Sequence, residues 1–112
     1  MSKRYKSRYH AVTKDLLDML IAKGFRIIDA HDCYDKPDCD YSDTNEMAYF
    51  LTGVDESVFV CAKGDEISIR VYIVLGNDFS EIVCDHSVVD DENGYYLEFE
   101  SVVSAHSSKW ER

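Results

Sequence analysis

Ile67-Ser68-Ile69-Arg70-Val71-Tyr72-Ile73-Val74-Leu75 alternates without a break. Ile67, Ile69, Val71, Ile73 and Leu75 share one parity; Ser68, Arg70, Tyr72 and Val74 share the other. A period of two belongs to a strand with one face in a core, and β-branched residues suit its pleat. Working outward, Lys63-Gly64-Asp65 on one side and Gly76-Asn77-Asp78 on the other read as turns. Beyond them lie two more strand-like runs, Ser57–Ala62 and Ile82–Val88, with Ile82, Cys84, His86 and Val88 on the inner parity. Turns this short predict antiparallel hairpins.

Upstream, Tyr9, Val12, Leu16, Met19, Leu20 and Lys23 fall at helical spacing. Ser7 or Thr13 is a candidate N-cap and Gly24 a candidate C-terminal stop. Phe25–Ala30 reads as a short strand, and His31–Ser42, holding the only proline, as a loop. Asp43-Thr44-Asn45-Glu46 has the form of a capping box opening a second helix, with Met47, Phe50 and Leu51 as its apolar stripe and Gly53 as its C′ residue. Downstream, an acidic turn, Asp90–Gly94, precedes Phe99, Val102, Val103, His106 and Trp110, one helical face within a helix from about Leu97 to Lys109. The expected order is α-β-α-β-β-β-α. The fold class is therefore α+β: a single antiparallel sheet of about four strands with two to three helices packed on one face. The 112 residues read as a single domain, residues 1–112, with residues 1–8 as a flexible basic arm.

Charge narrows the function classes. The net charge is -10. Residues 1–26 hold seven bases and two acids, whereas residues 27–112 hold five bases and twenty acids. A body of that sign repels nucleic acid and anionic membranes and attracts basic surfaces. No apolar run approaches the ~20 residues that span a bilayer, and MSKRYKSRYH lacks the apolar core of a secretory signal. The expectations are no direct nucleic-acid binding, no membrane association and a cytoplasmic protein whose four cysteines stay reduced.

Catalytic signatures are missing: there is no GxSxG, P-loop, GxGxxG or HExxH. The chain reads as a non-enzyme with no cofactor. His31, Cys33, Cys39, Cys84 and His86 are zinc-type donors, but no CxxC pair organises them, and no metal is expected. Asp35, Asp38, Asp40 and Asp43 lack the glycine offset of a calcium loop.

Acids interleaved with tyrosines are the stronger signal. Asp32, Tyr34, Asp35, Asp38, Asp40, Tyr41, Asp43 and Glu46 form one such stretch; Asp90, Asp91, Glu92, Tyr95 and Tyr96 form a second. Carboxylates steer toward and pair with Arg and Lys, and tyrosine rings supply rigid contact area. These thirteen residues are the candidate partner-binding set. The basic stretch Lys3–Tyr9 suits nucleic acid by itself, but the acidic body opposes it, so it reads as a tail or a counter-charge.

Tyr72-Ile73-Val74-Leu75-Gly76-Asn77-Asp78, followed by Glu81-Ile82-Val83-Cys84-Asp85-His86-Ser87, resembles a hairpin of small acidic proteins encoded by phages and other mobile elements. In those proteins an apolar strand ends in Gly-Asn. The next strand carries a hydrophobic-x-Asp-aromatic/His-Ser/Thr pattern. The likeness is tight over residues 72–87 and loose over residues 12–106. It implies an accessory protein acting inside a bacterial host, and it carries no functional residue across. Joined to the charge pattern, it leads to an expected function: binding and inhibition of a basic host nucleic-acid-binding defence complex, of anti-CRISPR or anti-restriction type, by occupation of a basic surface. The alternative is a non-enzymatic structural or regulatory domain that self-associates as a homodimer.

Overall fold

A computed structural model describes residues 3–64, 67–75, 82–88 and 95–111. The chain runs α1 (Lys3–Ala22), β1 (Arg26–Asp32), α2 (Thr44–Leu51), β2 (Glu56–Lys63), β3 (Ile67–Val74), β4 (Val83–Val88) and α3 (Tyr95–Trp110). The strands form one antiparallel sheet in the order β1-β2-β3-β4. This is the α+β fold that the alternation and helical spacings predict. The Gly76–Asp78 turn and the Asp90–Gly94 turn lie outside the described residues. No described helix is long and apolar enough to cross a membrane.

One parity of the sheet meets all three helices. Phe59 and Cys61 from β2 and Ile69, Val71 and Ile73 from β3 are fully buried. They join Leu16, Leu17 and Leu20 of α1, Met47 and Leu51 of α2, and Phe99 and Val102 of α3 in one core. Hydrophobic burial of this kind drives the fold, at roughly 25 cal/mol per Å² of apolar area. Polar contacts tie the helices together: Thr44 Oγ1 donates to Asp18 at 2.6 Å, and Lys109 and Trp110 donate to Asp15, each at 2.9 Å.

Helix ends decide several boundaries. α1 starts at Lys3, so neither Ser7 nor Thr13 caps it, and the helix takes in residues 3–8 of the expected arm. Thr13 is instead fully buried within the helix. Gly24 does end α1, with φ 93°. The Phe25 N–H donates to the Leu20 carbonyl at 3.1 Å and the Gly24 N–H to the Ile21 carbonyl at 3.0 Å, the two bonds of a Schellman motif. A side chain at that φ is strained, so Gly24→Ala should cost about 1–2 kcal/mol. A chemical-denaturation midpoint at an unchanged m-value checks it.

Asp43 caps α2 as expected, accepting from the Glu46 N–H. Gly53 does not act as a left-handed C′ residue; among described glycines only Gly24 and Gly64 have positive φ. The helix ends at Thr52 instead, whose hydroxyl and N–H both donate to the Ala48 carbonyl, at 2.7 and 3.0 Å. α3 begins at Tyr95, two residues before the expected Leu97.

Two irregularities reset side-chain parity. The β1–β2 register skips Ile28, leaving it 41% exposed. The β3–β4 register skips Cys84, so Asp85 lies opposite Tyr72 and Val83 opposite Ile73. An extra residue flips everything on one side of it. Val83, expected outside, therefore packs against the core.

Candidate protein-binding surface

Most carboxylates of the first acidic stretch build the loop that carries them. One Asp32 side-chain oxygen accepts from the N–H groups of Tyr34 (2.7 Å) and Asp35 (2.8 Å). Asp40 accepts from both the backbone N–H and the hydroxyl of Ser42, and these bonds hold its carboxyl below the ordinary carboxylate range. Asp43 caps α2. Asp29 takes the Lys36 ammonium at 3.3 Å. Short side chains bonding nearby backbone are the usual means of ordering a turn-rich segment. Two residues pin the loop from beneath: Cys39, whose thiol lies 3.7 Å from the Met47 sulfur, and Tyr41, packed against the core. Tyr34, 86% exposed, projects into solvent, and Asp35, Asp38 and Glu46 are exposed too.

Tyr95 and Tyr96 of the second stretch do not join the first. Asp90, Asp91 and Glu92 lie outside the described residues, but the elements flanking them are placed. Asp32 pairs with Ser57, which pairs with Ile73, whereas Val88 pairs with Ile69. The four residues from Ile69 to Ile73 put the two ends about 13 Å apart along the strands. At the Val88 end, Tyr95 stacks on the Lys63 ammonium, 5.1 Å from its ring, and Lys63 also pairs with Glu98. Tyr96 hydrogen-bonds His86 and stacks on Phe99 at 6.1 Å between ring centroids. Both tyrosines are partly buried against the core.

The fold brings other acids to the first loop. Asp55 precedes β2, Glu56 opens it, and Asp85 stands near the start of β4, all at the end of the sheet where β1 runs into the loop. On the face away from the helices, His31, Val58, Tyr72 and Asp85 align in one row across all four strands. A groove of about 470 Å³ opens there, bordered also by Asp32 and Glu56. His31 Nε2 lies 3.0 Å from an Arg70 guanidinium nitrogen. Arg70 can only donate, so His31 accepts at Nε2 and carries its proton on Nδ1. A side-chain contact from β1 to β3 must pass over β2, and this accounts for Val58 being only 8% exposed on the uncovered face. Glu56, Tyr72 and Asp85 were not among the sequence candidates. Their one trace in the sequence is the outward parity of Tyr72; their convergence needs the register.

The zinc-type donors are dispersed. His31 engages Arg70, Cys39 faces Met47, and His86 faces Tyr96; the Cys84 side chain lies outside the described set. Among the described residues no three His, Cys, Asp or Glu side chains gather as a metal ion requires. Burial pushes the Cys61 thiol up to about 12, which leaves it an inert core residue. Compared with protein-family models, curated proteins and solved structures, the chain matches none.

Proposed function

We propose that this protein is a non-enzymatic inhibitor that seats its acidic end on a basic surface of a host nucleic-acid-binding complex and so blocks that surface. The observation that carries this reading is the concentration of Asp32, Asp35, Asp38, Asp40, Asp43 and Glu46 on an ordered loop and helix start, with Asp55, Glu56 and Asp85 beside them. An acid array held by its own turns meets a basic partner with little ordering cost. The hairpin likeness to phage and mobile-element proteins extends the reading to a host-directed role against a defence complex, of anti-CRISPR or anti-restriction type.

The test uses acids that hold no turn or cap. Among the described residues the Asp35 side chain bonds only the next backbone N–H, and Asp38 and Glu46 are exposed. The D35K/D38K/E46K variant should keep its fold by circular dichroism. Each reversed charge removes about 1 kcal/mol or more, so affinity should fall roughly 100-fold. Affinity capture from bacterial lysate at low and moderate salt, read by mass spectrometry, names the target. The reading requires a basic nucleic-acid-binding protein held by the wild type, released by salt, and lost by the folded variant. Equal capture by both proteins removes the acidic end from the mechanism.

A further inference from the structure

We infer that the groove on the uncovered sheet face is a receptor for an arginine side chain of the basic partner. The inference rests on the proposed function and adds to it the contact that gives specificity. The floor is apolar, formed by Val74 and the nearly buried Val58, and Tyr72, 37% exposed, presents a ring along it. Asp32, Glu56 and Asp85 border it, and no ion pair of the described residues neutralises them. His31, the lining residue of basic type, already accepts from Arg70.

Those features select the occupant. The three carboxylates stand too far apart to share a metal ion, so a compact cation leaves some of them unmatched. A guanidinium is planar, donates five hydrogens in a fixed fork, and stacks on aromatic faces. Its three-carbon stem lies along apolar surface while its head reaches carboxylates. In this groove the stem lies along Val74, the plane faces Tyr72, and the donors reach Glu56 and Asp85. Asp32 already spends one oxygen on the Tyr34 and Asp35 N–H groups, which fixes its carboxylate at the mouth. Lysine offers the charge without the fork or the flat face.

The test titrates the ¹⁵N-labelled full chain with N-acetyl-arginine amide at low salt, beside the lysine and citrulline analogues. Arginine should shift the backbone resonances of Val58, Tyr72 and Asp85 in the millimolar range, lysine less, and uncharged citrulline not at all. The E56Q/D85N variant should bind arginine at least about tenfold more weakly, because two charge-assisted contacts become neutral ones. Silence in the groove, equal shifts with citrulline, or shifts confined to residues 33–43 overturns the inference. So do groove shifts that follow protein concentration alone, which mark the face as a contact between two copies of the chain. Capture experiments separate this inference from the broader one. If E56Q/D85N captures the target as the wild type does while D35K/D38K/E46K fails, the groove is not the receptor and the acidic loop stands. If neither variant alters capture, both readings fall.

Discussion

Phe99→Ala is expected to remove about 3–5 kcal/mol of stability. Phe99 is fully buried and joins α3 to the rest of the core. It meets Phe25 edge-on at 6.3 Å, His86 edge-on at 5.1 Å and Tyr96 in a stack at 6.1 Å. Truncation forfeits the transfer energy of the ring, leaves a cavity, and cancels three ring contacts at once. A domain of this size holds roughly 5–15 kcal/mol in total, so the variant should sit near the edge of folding. Urea unfolding followed by circular dichroism measures the loss. A loss under 1 kcal/mol means that α3 does not cap the core as described.

His106→Ala should cost about 3 kcal/mol above pH 7, from the cavity and from a lost buried hydrogen bond. His106 is 1% exposed, and its Nε2–H donates to the Val12 carbonyl at 2.8 Å, linking α3 to α1. Burial pushes its pKa below the ordinary 6.5, and nearby Lys109 adds to this; the Val12 bond and Asp15 pull the other way without reversing it. The sign follows from linkage. Below pH 6.5 the unfolded chain binds a proton that the folded chain refuses, so stability is full above that pH and falls as pH drops toward the folded value. The slope from this one group reaches about 1.4 kcal/mol per pH unit. The neighbouring Asp15 does not confuse the window. Asp15 is held below its ordinary 3.8: burial alone raises it, but the hydrogen bonds from Lys109 and Trp110 and the Lys109 charge prevail, so its contribution is lost only at more acidic pH. Unfolding curves between pH 5 and 7.5 should slope for the wild type and lose this component in His106→Ala. Equal slopes mean that His106 is not the group responsible.

How much of this was legible beforehand differs between elements. β3 was readable because a strict period of two admits one structure. The Asp43 cap was readable because the side-chain oxygen and the N–H it serves are three residues apart. Gly53 misled because a glycine at a helix end is only permitted, not required, to turn left-handed; the Thr52 hydroxyl closes α2 first. The tyrosines misled for a related reason. Tyr34 and Tyr95 look alike beside their acids, yet one projects into solvent and the other covers Lys63. Local composition does not say which side of a segment faces the core.

By itself, then, the sequence determined what depends on near neighbours: the α-β-α-β-β-β-α order, the Gly24 stop, the Asp43 cap and the acidic sign of the body. Tertiary structure decided what depends on register. Bulges at Ile28 and Cys84, invisible to any local pattern, set which residues of β1 and β4 face outward. Strand pairing then drew His31, Val58, Tyr72 and Asp85, spread over 55 positions of the numbering, into one row, and set the first acidic loop at the Asp32 end of the sheet while Tyr95 covers Lys63 at the other. The physical reason is that a cross-strand neighbour lies about 4.8 Å away whatever its separation along the chain.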